Sequence, residues 1–191
     1  MEPIRNALKN NTTSNLNELL SEADAGSFAV VEMIGASGKL LARSPADKDN
    51  IPRCVCFSAC SLPGLISFSE RYGRFGLAFR KESLFQAGCR PCLYVDKGIY
   101  GYIAKRGRDA PEGTSERGLF GLANIYSPPA MGGRIQDFTH EREWRLFVDL
   151  DLGPYPPDFI ICPSAYISKL RNLFGNRQTY LPIDIIFRWG A

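Results

Sequence analysis

The chain carries Glu141-Arg142-Glu143-Trp144-Arg145 directly before the apolar run Leu146-Phe147-Val148. This pattern predicts a β-strand from Glu141 to Asp149. Alternate residues of a strand share a face, so Glu141, Glu143 and Arg145 would line up about 6.5 to 7 Å apart. Two carboxylates on one face repel each other unless a cation or a proton holds them. Two interpretations stay open: a solvated edge strand with cross-strand ion pairs, and a cleft lined by the three charged groups.

Length and composition bound the class of protein. A chain of 191 residues with 45% hydrophobic residues is long enough for one domain with its own core. We expect a single compact domain over 1–191, with a core from about 26 to 191 and a helical arm over 1–25. A net charge of +3 is too small to argue for nucleic acid as a partner, although clustered Arg and Lys would suit a phosphate-bearing ligand.

Short predicted elements make up the rest of the chain. Arg53–Ser58 is the clearest central strand, and Phe28–Ile34 is either a strand or a buried helix. Tyr166–Phe174 has the apolar spacing of a helix, and Ile183–Arg188 is the expected last strand. Glycine and proline interrupt residues 97–135, which we expect to be a loop insertion. The fold class is therefore α+β: a mixed or antiparallel sheet of short strands with short flanking helices.

The first 22 residues lack the apolar core of a signal peptide, and no run approaches the length of a membrane span. We therefore expect a cytoplasmic protein, bacterial in style, with six reduced cysteines. Cys54 and Cys56, together with the Cys89-Arg-Pro-Cys92 pair, could supply a four-sulfur zinc site. Because these cysteines lie in or beside apolar runs, buried thiols are the favoured interpretation and no metal site is predicted.

Three sequence blocks occur together in an order that resembles a known family. They are Val55-Cys56-Phe57-Ser58, the stretch from Glu70 to Phe79, and Glu141-Arg142-Glu143-Trp144-Arg145. The combination is similar to AbiGi, an antitoxin family of bacterial abortive-infection (phage-resistance) systems, over about residues 53–162. The resemblance implies a phage-defence or toxin–antitoxin component that binds a protein partner encoded nearby.

The same family resembles distant variants of the ADP-ribosyltransferase fold. Enzymes of that fold carry a first-strand His or Arg, a second-strand aromatic-Ser element and a late Glu-x-Glu. Here Glu141-Arg142-Glu143 fits the Glu-x-Glu, Phe57-Ser58 fits the second element, and Tyr72 would stack on nicotinamide. The first element has no clear counterpart, which leaves enzyme activity open.

What this second resemblance implies is cleavage of the nicotinamide–ribose bond of NAD. Glu143 would stabilise the oxocarbenium-like transition state, and Glu141 would act as general base on the acceptor. Ser58 would hold the ribose or Glu143, and Arg145, or Arg71 together with Arg74, would bind the pyrophosphate. The alternative needs no chemistry: Tyr72-Gly-Arg-Phe-Gly76 is then a tight turn and the acidic strand a surface for a partner. Nucleic-acid binding rests on scattered basic residues and is disfavoured.

Overall fold

The computed structural model of the protein describes residues 13–44, 52–61, 64–65, 68–69, 72–126 and 139–188. Helices and several small sheets alternate along these ranges, so the α+β class predicted from the sequence is confirmed. Within the same ranges, none of the helices combines the length and the apolar character that a bilayer crossing requires.

The helices and strands are short, apart from the first helix. The helices are α1 (Thr13–Ser37), α2 (Lys81–Gln86), α3 (Lys97–Gly107), α4 (Ser115–Leu122), α5 (Ile167–Phe174) and α6 (Ile183–Arg188), with 3₁₀ turns at Thr139–Glu141 and Ser164–Tyr166. The strands are β1 (Lys39–Leu40), β2 (Val55–Ser58), β3 (Gly76–Ala78), β4 (Arg90–Pro91), β5 (Leu93–Val95), β6 (Ala123–Ile125), β7 (Glu143–Leu146), β8 (Leu150–Asp151), β9 (Phe159–Cys162) and β10 (Thr179–Pro182).

The contacts of the chain cluster in two compact units. The first unit takes residues 1–39, 61–80 and 152–191, and the second takes residues 40–60 and 81–151. Each unit is built from segments that are distant in sequence. The division describes the packing within each unit and leaves one domain over 1–191 as a prediction.

In the first unit, β9 lies between β10 and β3, parallel to β10 and antiparallel to β3. Ile160 and Cys162 of β9 are buried against Phe28 and Val31 of α1 and Leu170 of α5. Burial of these apolar side chains is the main stabilising contribution of this core. Helix α1 runs through Phe28–Ile34, so that segment is a helix rather than a strand, although only its Phe28 and Val31 are buried. The helix also includes residues 13–25 of the predicted arm. Residues 1–12 of the arm lie outside the described ranges.

The second unit contains the sheet that positions the charged pentapeptide. Strand β7 is the middle strand and pairs antiparallel with β2 on one side and β4 on the other. A parallel pair, β5 with β6, lies in the same unit. Helices α3 and α4 pack together at Gly107, where a Cβ would collide with the backbone of Glu116 and the side chain of Phe120. Ile103, Ala104, Phe120 and Ala123 form the buried cluster there.

Four local predictions are corrected by these elements. The expected strand Glu141–Asp149 is shorter, because β7 begins at Glu143 and ends at Leu146. The segment Arg53–Ser58 contributes β2, an outer rather than a central strand of the β2-β7-β4 sheet. The last predicted strand, Ile183–Arg188, is helix α6, and the strand before it is β10.

The fourth correction concerns the predicted loop insertion over residues 97–135. Residues 97–125 instead form α3, α4 and β6, and residues 127–135 lie outside the described ranges. The glycines misled the prediction because they do not interrupt these helices. Gly107 lies at a close helix–helix contact, and Asp96 caps the start of α3 by accepting from the backbone N–H groups of Gly98 and Ile99 at 2.7 and 3.0 Å.

Candidate functional site

The two acids of the pentapeptide are not on one strand face. Glu141 ends the 3₁₀ turn Thr139–Glu141, and Arg142 adopts a left-handed conformation with φ of 46° before β7 starts at Glu143. The backbone of Arg142 is held on both sides: its N–H donates to Thr139 O at 3.1 Å and its carbonyl accepts from Ala59 N–H at 3.2 Å. This turn redirects the chain, so the predicted alignment of Glu141 with Glu143 and Arg145 is wrong.

Glu143 and Arg145 do share a face of β7, and they form an ion pair that contains two hydrogen bonds. Arg145 Nε donates to Glu143 Oε1 at 2.9 Å, and the terminal Nη2 donates to Glu143 Oε2 at 3.0 Å. The side chains of Arg145 and Glu143 are only 9% and 12% exposed. A solvated edge strand, the simpler of the two initial interpretations, is therefore wrong: β7 is the middle strand and its charges are largely buried.

Arg145 also binds the segment that follows α4. Its Nη1 donates to the carbonyl of Gly121 at 2.5 Å, and its Nη2 donates to Asn124 Oδ1 at 3.1 Å. The guanidinium therefore connects β7 to the end of α4 and to β6. All three of its nitrogens donate to groups of the protein, which is how a buried arginine is satisfied. Its predicted role as a pyrophosphate ligand gains no support from this geometry.

Glu143 has hydrogen-bond partners besides Arg145. Asn124 Nδ2 donates to Oε2 at 2.7 Å, and the backbone N–H of Glu143 donates to the Tyr94 hydroxyl at 3.0 Å. Burial on its own would raise the pKa of the Glu143 carboxyl. The hydrogen bonds and charge of Arg145, with further donors from Cys56 and Asn124, outweigh burial and hold the pKa below its usual value. Glu143 is thus a stable anion at neutral pH.

Three thiols surround this ion pair. The Sγ atoms of Cys54 and Cys56 are 3.6 Å apart. Cys56 belongs to β2, and Cys54 directly precedes that strand. Cys56 also makes a side-chain hydrogen bond to Glu143. The hydrogen bond from Cys56 lowers the pKa of Cys54 to about 7, with Arg145 adding to that effect against burial. The same contact raises the pKa of Cys56, and burial raises the pKa of Cys92 to about 12.

The predicted aromatic-Ser element, Phe57-Ser58, has one residue on the same sheet face as Glu143 and one on the opposite face. In the antiparallel register Ser58 is opposite Glu143, and Phe57 is opposite Trp144. Residues directly opposite in such a pair project to the same face, so Ser58 lies beside Glu143 whereas Phe57 lies with Trp144 on the other side. Ser58 is exposed and Phe57 is half-buried.

Tyr72 and Arg74 belong to the first unit, whereas the other predicted site residues belong to the second. Arg74 Nε donates to Asp24 Oδ1 at 3.0 Å, and its Nη2 pairs with Asp24 Oδ2. The Asp24 side chain is 7% exposed, so this arginine is used in an internal ion pair. Tyr72 is 56% exposed and its ring centroid lies 5.5 Å from that of Phe68. The tight-turn interpretation of Gly73 is supported by its φ of 101°.

Asn124, Tyr94 and Gly121 complete the surroundings of Glu143 and Arg145, and sequence reasoning missed them. Their separation from β7 along the chain hides them from any pattern of local spacing. One signal was available: Asn124 is a polar residue between Ala123 and Ile125, inside an apolar stretch. A half-buried polar side chain in such a place needs hydrogen-bond partners, and here Asn124 finds both charges of the ion pair.

The arrangement is suited to holding elements together. Both carboxylate oxygens of Glu143 accept hydrogen bonds from groups of the protein itself, and all three guanidinium nitrogens of Arg145 donate to such groups. Within the described ranges, no group of three or more His, Cys, Asp and Glu side chains is arranged to hold a metal ion.

Comparison with known proteins adds no relative. No protein-family model matches the chain, and neither a curated protein nor a solved structure does so.

Proposed function

We propose that this protein is a component of a bacterial phage-defence or toxin–antitoxin system that works by binding a partner protein, and that Glu143 does no chemistry. The observation that carries the proposal is the closed pairing of Glu143 with Arg145 and Asn124. A catalytic carboxylate must present an oxygen to the reacting sugar. This one is used within the protein.

Releasing Glu143 for a substrate would be costly. Its two oxygens already accept from Arg145 at 2.9 and 3.0 Å, and Oε2 also accepts from Asn124. Breaking a buried ion pair leaves an uncompensated charge and costs about 3–5 kcal/mol. A ligand would have to replace that interaction before any rate enhancement began.

Two of the three blocks that resemble the AbiGi family are neighbours in the structure. Val55–Ser58 pairs with Glu143–Leu146 along the full length of both strands. These two blocks therefore form one sheet, which supports reading them as a single feature, whereas the third block contributes β3, which pairs with β9 in the first unit. It is this support that favours a defence role with a partner encoded nearby.

The predicted cleft of Glu141, Glu143 and Arg145 cannot as a whole be the surface that a partner contacts, because not all three residues are accessible. Arg145 is 8% exposed and cannot be a contact residue. The turn before it is better placed, because Arg142 is exposed and Glu141 is half-buried. Two backbone hydrogen bonds fix Arg142, so a partner would meet a charge on a rigid turn. We place the partner contact at this turn.

Binding of a partner is tested by co-expression with the proteins encoded beside this one. The wild-type chain should form a stable complex with one of them, and Arg142→Glu should weaken that complex at least several-fold because it reverses the charge on the turn. Arg108→Glu is the matched control, since Arg108 is also exposed. A complex that tolerates Arg142→Glu as well as it tolerates Arg108→Glu would move the contact elsewhere. The absence of any complex would overturn the binding role.

A second candidate is an ADP-ribosyltransferase-like enzyme or NAD-binding protein. The observation in its favour is that Ser58 lies directly opposite Glu143, which suits the role of holding the ribose or Glu143 that the resemblance implies. In this alternative Glu143 is the catalytic carboxylate, Glu141 the general base and NAD the cofactor.

Incubation with NAD separates the two candidates. The enzyme would release nicotinamide, and Glu143→Gln or Ser58→Ala would slow that release by 100-fold or so. Glu116→Gln serves as control, because Glu116 is exposed on α4. We expect no nicotinamide release from the wild-type protein. Release that depends on Glu143 but not on Glu116 would refute the non-catalytic proposal and establish the alternative.

A further inference from the structure

We propose that Cys54 and Cys56 form a two-sulfur binding site for a soft metal ion. The two residues are separated by one position, so their side chains leave the strand on the same side. Their sulfur atoms are 3.6 Å apart. This inference is independent of the proposed function, because neither a partner nor NAD enters it.

The sulfur separation matches the spacing of two thiolates on one metal ion. A zinc–thiolate bond is about 2.3 Å long, and two such bonds at a tetrahedral angle place the sulfurs about 3.8 Å apart. The observed distance of 3.6 Å, at which the two thiols now share a hydrogen bond, is close to that separation. Thiolates select soft or borderline ions such as Zn²⁺ or Cu⁺ over Mg²⁺ or Ca²⁺.

A disulfide fits the same pair poorly. Two residues apart on an extended strand, the Cα atoms are separated by about 6.7 Å. That lies at the upper limit for a disulfide, and the parallel direction of the side chains makes the approach worse. Closing the bond would bend β2 away from β7, with which it pairs from Val55 to Ser58. A bridging ion leaves the strand as it is.

The surroundings provide access and a balanced charge. Cys54 is buried and Cys56 is exposed, so an ion can enter from the side of Cys56. The nearby charges of Glu143 and Arg145 offset each other, so the ion meets no net repulsion. Two metal–sulfur bonds form, each S–H bond that breaks gives its proton to solvent, and no electron is transferred. Solvent or a small ligand occupies the remaining positions.

Cadmium titration of the reduced full-length protein tests the site. Bound Cd²⁺ should produce a sulfur-to-metal charge-transfer band in the ultraviolet that saturates at one ion per chain and that Zn²⁺ displaces. Cys54→Ser and Cys56→Ser should each abolish the band. Cys60→Ser is the matched control and should retain it, because Cys60 lies on the same segment but beyond the strand. A band that survives both substitutions, or no band in the wild type, would overturn the proposal.

A second measurement needs no variant and so does not depend on folding of one. Iodoacetamide labelling, followed by mass spectrometry, should show that Zn²⁺ protects Cys56 and leaves labelling of Cys60 unchanged. A mild oxidant should leave the peptide containing Cys54 and Cys56 without an internal disulfide. Equal labelling of Cys56 with and without Zn²⁺, or rapid closure of that disulfide, would contradict the metal site.

Discussion

Glu143 is a charged carboxylate whose oxygens are already used in hydrogen bonds within the protein. It accepts hydrogen bonds from Arg145 at two points and from Asn124 at a third. The energetic consequence follows from burial: each member of the pair is largely removed from water and depends on the other. A buried ion pair of this kind adds little net stability, because the cost of removing both charges from water offsets the attraction between them.

Removing one partner of this pair should therefore cost far more than removing both. Arg145→Met leaves the Glu143 carboxylate buried without its counterion, and we expect a loss of about 3–5 kcal/mol in the free energy of unfolding. Glu143→Leu combined with Arg145→Met replaces both charges by apolar groups and should restore most of that loss. Urea denaturation of the two variants and the wild type measures the difference. A double variant less stable than Arg145→Met would contradict this view of the pair.

The ion pair also predicts how stability depends on acid. The pKa of Glu143 is lower in the folded protein than its ordinary value of about 4.3 in an unfolded chain. Its contribution is therefore complete above the unfolded value and is lost as the pH falls through the folded value. Denaturation midpoints of the wild type should drop more steeply below about pH 5 than those of Glu143→Gln. Parallel pH profiles would show that Glu143 does not titrate with folding.

At the level of elements, the end of α4 is tightly packed at Gly121. Gly121 gives its carbonyl to Arg145, and a Cβ at this position would lie 2.6 Å from two ring carbons of Phe147 and 3.2 Å from Pro52. A side chain at Gly121 would push the helix away from β7. The hydrogen bond to Arg145 would lengthen with it.

Gly121→Ala should destabilise the protein by about 1–3 kcal/mol, the usual cost of overpacking a core. Gly118→Ala is the matched control on the same helix, because a Cβ there meets nothing within 4 Å. That substitution should be neutral or stabilising by up to about 1 kcal/mol, since alanine favours helix. Thermal unfolding of both variants measures the contrast. Equal shifts in the melting temperature would mean that the close contact at Gly121 is not limiting.

The sequence predicted those elements whose conformation is set by the local residue pattern. It missed those that depend on contacts between segments far apart in the chain. The helix Ile167–Phe174 followed from its apolar spacing and from the glycine at 175, whose φ is 86°. Residues 97–125 were mistaken for a loop because Gly107, Pro111 and Gly113 look like element breakers, although Gly107 lies at a close helix–helix contact and the other two lie between α3 and α4. The pentapeptide was found as a candidate site, but its partners Asn124 and Gly121 come from segments that no spacing rule connects to β7.

At the scale of the whole molecule, each core is assembled from segments far apart in sequence. The core of the first unit joins Phe28 and Val31 to Ile160, Cys162 and Leu170. The sheet of the second unit joins Val55–Ser58 and Arg90–Pro91 to β7. Contacts of such long range favour slow folding, because much loop entropy is lost before they form.

Leu170 tests how strongly the first unit depends on this long-range core. It is 0% exposed, and the cluster around it draws on α1 and β9 as well as its own helix. Leu170→Ala should lower the free energy of unfolding by about 2–5 kcal/mol, because it removes buried methyl groups and leaves a cavity. Leu119→Ala makes the same chemical change at a leucine that is 42% exposed. We expect that control to cost clearly less, about 0.5 kcal/mol, and similar losses in the two variants would show that Leu170 is not at the centre of the core.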